Sequence, residues 1–251
     1  MQPDTPPDIP AELIATLRAA RHIAVLTGAG ISAESGLPTF RDRISGLWTR
    51  FSPEELSTPE GFRSDPARVW TWHSEMREMA RRAAPNPAHL ALVEMERHAP
   101  VFTLLTQNID SLHQRAGSGR VVELHGNIFR ARCNSDGLPV EGWEDSPDIP
   151  PRCPRCGGLV RPALVWFRER LPDAELAVAE AAVAGCDVFF AIGTSGEVEP
   201  AASFAPRAVA RGATVVVINL DVVTSAVPQL YRFRAPAGAL LPQLVAATWG
   251  A

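Results

Sequence analysis

The chain has 251 residues, 46% of them hydrophobic, and a formal net charge of −4. That suits one large α/β domain, or a large domain with a small companion, and leaves no basic footprint for nucleic acid. No run approaches the ~20 apolar residues of a membrane span, and the amino terminus lacks the basic-then-apolar pattern of a secretory signal.

Residues 1–10 read as a Pro- and Asp-rich lead-in. Leu13, Ile14 and Leu17 have helical spacing over 11–20. His22 to Thr27 is a continuous apolar run, predicting a buried strand that Gly28-Ala29-Gly30 ends. Residues 53–84 read as helical but broken at Pro59 and Pro66, and Pro87 to Arg97 as a further helix. Val101–Thr106 and Val121–Leu124 predict two more strands. Residues 130–160 change to Cys, Pro, Gly, Asp and Trp with little periodicity, which predicts a small inserted module. Beyond it come an Ala-rich helix over 174–184, a strand over 187–192, a helix over 200–211 and a strand over 214–218.

Apolar strands alternating with helices predict a Rossmann-like, doubly wound parallel sheet covered on both faces. Glycine and polar clusters follow the strands at 28–30, 107–110, 125–126, 193–195 and 219–221. Ligands of such sheets bind beyond the strands' carboxyl ends, so these clusters predict one crevice. Gly28-Ala29-Gly30-Ile31-Ser32-Ala33, with a helix expected after it, suits pyrophosphate binding; a glycine turn serving only packing reads the same residues differently. The fingerprint's third glycine is Ala33, and the ribose-binding acid expected ~20 residues on is missing, which argues against a dehydrogenase. Cys133, Cys153 and Cys156 share one Pro- and Gly-rich segment, pointing to metal rather than disulfides and to a reducing, cytoplasmic setting. Cys186, at a strand start, reads as a buried small residue. All 24 basic side chains are arginine, which codon bias explains more simply than any tie to lysine chemistry.

The run from Gly28 to Arg41 (GAGISAESGLPTFR) resembles the signature of the sirtuin family. Thr106–Asp110 (TQNID), Leu112–Gly117 (LHQRAG) and Glu123–Asn127 (ELHGN) match in the same order, as do Gly193-Thr194-Ser195 and Asn219-Leu220-Asp221. The resemblance spans about residues 11–245. It implies an NAD-dependent protein-lysine deacylase acting on acyl-lysine proteins or peptides and releasing nicotinamide and O-acyl-ADP-ribose. By that resemblance, 11–129 with 161–247 is the NAD-binding domain and 130–160 a small zinc-ribbon-like module.

In the family, the acyl oxygen attacks the anomeric carbon of NAD as nicotinamide leaves. A histidine, matched here by His125, then activates a ribose hydroxyl. Imidazole suits that work because its ordinary pKa lies near 6.5. The resemblance assigns Asn108 and Asp110 to the nicotinamide end, Gln107 to the ribose, and Ile109 to the same loop. Gly28, Ala29, Gly30, Ser32, Ala33, Glu34 and Arg41 fall along the phosphates and ribose, with Phe40 shielding the reacting centre. Gly193, Thr194, Ser195, Asn219, Leu220 and Asp221 hold the adenosine half, with Ala237 against adenine. The acylated peptide is expected to add as a strand between Val165-Trp166-Phe167 and Gly196-Glu197-Val198.

Two departures stand out. Most sirtuins carry Cys-x2-Cys twice, whereas here the first pair reads Cys133-Asn134-Ser135-Asp136. Either Asp136 completes a structural zinc site with Cys133, Cys153 and Cys156, or zinc is held poorly and Asp136 is a loop residue. The sequence most resembles the class that removes acidic acyl groups, yet that class's Tyr and Arg are His73 and Met76. Met76 cannot pair with a carboxylate, so desuccinylation and demalonylation are expected to be weak unless Arg77 reaches in, and neutral acyl groups are favoured. A core role for His73 and Met76 is the plain alternative. Two rival functions use the same loops: mono-ADP-ribosyl transfer, and a non-catalytic NAD sensor, which would not need His125.

Overall fold

In the computed structural model, residues 8–39, 56–221 and 229–250 are described; Phe40 and Arg41 lie outside them. Strands β1 (His22–Thr27), β2 (Val101–Thr106), β3 (Val121–Glu123), β6 (Val188–Ile192), β7 (Thr214–Asn219) and β8 (Leu230–Arg234) form one sheet in the order β3-β2-β1-β6-β7-β8. Every pairing is parallel. β1 is wholly apolar but for its ends because both its faces are covered. Ile23 and Val25 face α1 (Ala11–Ala19), α4 (Pro87–His98) and α8 (Ala237–Trp249), through Leu13, Leu92, Met95 and Leu240. Ala24 and Leu26 face α6 (Asp173–Gly185) and α7 (Phe204–Ala210), through Ala179, Val183 and Phe204. Strand order reverses between β1 and β6, which places the expected crevice at the carboxyl ends of the strands around that switch point.

The region expected to be broken helix starts twice at proline. α2 (Pro59–Ser64) is capped by Thr58, whose side chain accepts from the Gly61 N–H. α3 (Pro66–Arg82) is capped by Asp65, which accepts from the Arg68 N–H. Proline in the first turn lacks only an N–H that would have no intrahelical partner. Seventeen residues make α3 about 25 Å long. One of its faces, with Val69, Trp72 and Ala80, packs on Leu56, Phe62, Ile128, Leu164 and Trp166.

The chain leaves the large sheet through β4 (Gly126–Cys133) and returns through β5 (Val160–Leu164), paired antiparallel. The inserted module has a small core of its own: Ala131, Cys133, Val140, Cys153 and Val160, into which α3 sends Trp70. Arg77 of α3 lies over the rings of Trp70 and Trp143, 5.3 and 4.4 Å from their centroids.

The structure departs from expectation in two places. The segment after Gly28 is not an α-helix in its described part; it forms two single 3-10 turns, Ala29–Ile31 and Ala33–Ser35. The segment therefore offers loop amides and no long helix dipole. The carboxyl-terminal β8 and α8, the short α5 (Leu112–Ala116) and β4 were not foreseen. Among the described residues no helix is long and apolar enough to cross a membrane.

Candidate active site

A cavity of about 650 Å³ opens at the carboxyl ends of the strands. Its wall gathers Gly28–Gly30, Ser32–Glu34, Gln107–Asp110, His125, Gly193–Ser195, Asn219–Asp221 and Ala237. The five separate strand-end clusters of the sequence are therefore one site. His73, Met76, Val165, Trp166, Phe167 and Val198 line the same cavity. Gly196 and Glu197 are exposed on the loop beside Val198.

The glycines serve packing as well as any ligand. A Cβ on Gly30 would sit 2.7 Å from Gly193 Cα, and one on Gly28 2.7 Å from Gly193 O. Gly193 has φ +60° and would place its own Cβ 2.4 Å from the Ile31 amide nitrogen. Loops from β1 and β6 thus touch backbone to backbone, tied by Gly30 N–H donating to Gly193 O at 2.9 Å.

His125 immediately precedes β4, and its Nδ1 lies 3.0 Å from Gln107 O. A carbonyl only accepts, so Nδ1 carries the hydrogen and Nε2 keeps its lone pair. Burial holds the His125 pKa below its ordinary value, outweighing the opposing effect of the Gln107 bond. The ring is therefore neutral near pH 7 and able to accept a proton.

Asn108 Nδ2 donates to Gly28 O at 3.0 Å and to Ser32 Oγ at 3.2 Å. Ser32 Oγ donates to Asp110 Oδ2 at 2.7 Å, and the Leu112 N–H donates to Asp110 Oδ1 at 2.9 Å. Asp110 is buried, and burial raises its pKa against those bonds. Thr194 Oγ1 donates to Gln107 Oε1, and Asn219 Nδ2 donates to Thr194 O, both at 2.8 Å. Residues matched one by one to cofactor roles prove to be a single belt joining the ends of β2, β6 and β7. Glu34 Oε1 accepts from the Gly238 N–H at 2.8 Å, capping the start of α8 beside Ala237.

At the other end the cavity wall is apolar: Trp72, Met76, Ile128 and Leu164 surround His73. His73 is 1% exposed and has both nitrogens engaged. Nδ1 donates to Val69 O at 2.8 Å, and Nε2 accepts from Trp166 Nε1 at 3.4 Å. Burial is the main reason its pKa falls to about 4. Arg77 is not available to the cavity: Nε donates to Ile128 O at 2.8 Å, Nη1 to Ser74 Oγ at 3.3 Å, and the residue is 6% exposed. The amides of Val165, Trp166 and Phe167 are taken by His125 O, Glu169 Oε2 and Ser57 O. A strand added there cannot use those three donors.

The sulfurs of Cys133, Cys153 and Cys156 lie within 4.8 Å of one another. Thiolates around a tetrahedral zinc sit about 3.8 Å apart, so three corners fit. Matching turns support them: Ser135 N–H donates to Cys133 Sγ and Gly158 N–H to Cys156 Sγ, both at 3.4 Å. Asp136 is not within reach of all three sulfurs, though its side chain interacts with that of Cys133. Its carboxylate accepts from the Leu138 N–H at 2.9 Å and pairs with Arg155 at 3.3 Å. Cys186 is partly buried at the end of α6, and burial raises its pKa to about 11.

Sequence reading missed the apolar end of the cavity supplied by Trp72, Ile128 and Leu164, which lie outside any strand-end loop. It also missed a buried polar row, Thr27, Thr106, His113 and His89. Its one visible signal was a threonine closing each of two neighbouring strands.

Residues 28–200 match the family described as the Sir2 family. An NAD-dependent protein deacylase of Methylococcus capsulatus is 46% identical over 244 residues, spanning 94% of this chain and 96% of that one. NAD-dependent protein deacylase 1 of Pseudomonas aeruginosa is 45% identical over 241 residues, 93% and 96% of the two chains. A solved Sir2 homologue–NAD complex superposes with TM-score 0.86 at 41% identity over 96% of this chain and 94% of that one. A mutant Sir2 homologue bound to 2′-O-acetyl ADP ribose gives TM-score 0.87 at 42% identity over 96% of both.

Proposed function

Because the chain belongs to the Sir2 family, we propose that it is an enzyme removing acyl groups from lysine side chains with NAD as co-substrate. The observation that carries this reading is the convergence of His125, Asn108, Asp110 and the glycine loop on one cavity. When bound, NAD supplies an electrophilic ribose carbon and nicotinamide as leaving group. The chain's own residues do the rest. Amides of the Gly28–Gly30 loop suit the phosphates, and Thr194 and Asn219 the adenosine end. Asn108 and Asp110, cross-linked through Ser32, hold the nicotinamide end. His125 takes a proton at Nε2 from a ribose hydroxyl, its ring held by Gln107 O. Deacylation releases O-acyl-ADP-ribose.

The acyl end favours neutral groups. A carboxylate there would face a neutral His73 whose one N–H is already given to Val69 O. Arg77 is held elsewhere by Ile128 O and two indoles. A buried carboxylate with no partner costs several kcal/mol. Acetyl or a longer apolar acyl chain suits the wall of Trp72, Met76 and Ile128. The acyl-lysine peptide lies between Val165–Phe167 and Gly196–Val198, with Phe167 and Val198 exposed for contact. Cys133, Cys153 and Cys156 would hold a structural zinc, with Asp136, beside Cys133 and Arg155, as the candidate fourth ligand. Reduced cysteines with metal spacing fit work in the cytoplasm.

The test is nicotinamide release from NAD with an acetyl-lysine peptide, followed with formation of O-acetyl-ADP-ribose. Parent enzyme turns over and His125→Ala does not, while its melting curve stays that of a folded protein. Undiminished turnover by His125→Ala removes the assigned base.

A further inference from the structure

Two buried histidines take no part in the chemistry above. His89 is 0% and His113 1% exposed, their ring centroids 4.8 Å apart. His113 Nε2 is 2.9 Å from Thr27 Oγ1, which donates to Thr106 Oγ1 at 2.8 Å; the Asn108 N–H also donates to Thr106 Oγ1, at 3.0 Å. His89 Nδ1 accepts from the Asn86 N–H at 3.3 Å. Among the described residues, two buried imidazole nitrogens have no partner: His89 Nε2 and His113 Nδ1.

With Thr27 Oγ1 donating to Thr106 Oγ1, these contacts set both tautomers. Thr27 has one hydroxyl hydrogen, spent on Thr106, so it accepts from His113 Nε2–H and leaves His113 Nδ1 an acceptor. His89 Nδ1 accepts, so His89 Nε2 bears a hydrogen and is a donor. The two unpartnered atoms are therefore a matched donor and acceptor on neighbouring rings. Reversing the threonine hydrogens would set two buried donors side by side, each costing about 1–3 kcal/mol.

We propose that His89 and His113 are positioning residues. His113 donates to Thr27 and Thr27 to Thr106, and the His89 ring packs against His113 with its Nε2–H matched to the open Nδ1; this row fixes the two loops gripping the nicotinamide end. Thr27 is the last residue of β1, just before Gly28, and Thr106 the last of β2, just before Gln107. The row sets the spacing of the strand ends, and Asn108 spans that spacing by donating to Gly28 O and Ser32 Oγ. Asn86 adds a second tie, its Nδ2 donating to Ile31 O at 2.7 Å. Cooperative chains of this kind gain strength from alignment and lose it as a unit.

The inference rests on the NAD-dependent reading. It predicts an effect on NAD parameters and not on the acyl-peptide, which binds at the far end of the cavity. Steady-state kinetics with NAD and acetyl-lysine peptide are measured for His113→Phe, His113→Gln, His89→Phe and the double His89→Phe/His113→Phe. Thr27→Val and Thr27→Ser complete the set. His113→Phe and Thr27→Val lower kcat/KM for NAD about tenfold, as loss of a buried hydrogen bond implies. Peptide KM stays within about twofold, and His113→Gln and Thr27→Ser, which keep a donor, recover most of the loss. The double variant is no worse than its worse single. NAD constants unchanged in His113→Phe and Thr27→Val would overturn the proposal. So would equal losses toward NAD and peptide, or additive effects in the double. Should a Phe variant not fold, the Thr27→Val and Thr27→Ser pair decides. A parent enzyme that consumes no NAD refutes the functional reading instead.

Discussion

Lowering the pH should destabilise this fold well before its carboxylates titrate. His73, His89 and His113 are at most 1% exposed, with pKa values lowered to about 4, 4 and 3, chiefly by burial. In the unfolded chain each returns to about 6.5. The unfolded state therefore binds protons between about pH 6.5 and 4 that the folded state refuses, so stability falls as pH drops through that window. Each group loses about 2 kcal/mol between pH 7 and pH 5, and the three together about 6 kcal/mol. Total stability for a domain is roughly 5–15 kcal/mol, so the loss is a large share of it. Urea unfolding followed by tryptophan fluorescence at half-unit steps from pH 7.5 to 5 reads it directly. A midpoint that moves by less than the equivalent of about 1 kcal/mol from pH 7 to 5 would refute the neutral, buried assignment of these rings. The hydrogen-bond directions derived from it would fall too.

Met76→Arg should raise kcat/KM for succinyl-lysine relative to acetyl-lysine by roughly 10- to 100-fold, the worth of a charge-assisted pair; an unchanged ratio shows that Met76 does not face the acyl end. The acid limb of the kcat/KM profile should have its midpoint below 6.5, because burial favours the neutral base form of His125 and that form is lost as pH falls. A limb centred above 6.5 contradicts it. Purified protein should carry about one zinc, lost in Cys153→Ser. Asp136→Cys should tighten zinc retention against a chelator by about tenfold or more, supplying the fourth thiolate; equal retention by parent and variant means the fourth corner is already filled.

The central sheet was legible because a strand buried on both faces has no polar positions: Ile23 to Leu26 and Val188 to Ile192 cannot be amphipathic. The outer elements hide for the opposite reason. β8 reads Leu-Tyr-Arg-Phe-Arg at the sheet edge, with only Phe233 buried, and α8 carries Pro242 inside it and starts from Pro236, whose side chain offers no cap of its own. β4 alternates arginine with apolar residues directly after a motif, so the motif drew attention from the strand. The strand-end clusters exposed the cofactor half of the site. The apolar end of the cavity is built from one face of α3 and the β4–β5 pair, far apart in sequence, and only their packing unites them. The helix expected after Gly30 failed because the loop must turn twice to bring Ser32 to Asp110.

The stacking of Arg77 on Trp70 and Trp143 fastens α3 to one of the two bodies it touches. That helix carries His73 and Met76, yet its cationic rivet is driven into the cysteine-bearing lobe and not into the nucleotide sheet. The wall that carries His73 and Met76 is thus pinned at two points, to the cysteine-bearing lobe through Trp143 and to the sheet domain through Arg115, whose Nη1 donates to Ala80 O at 2.9 Å.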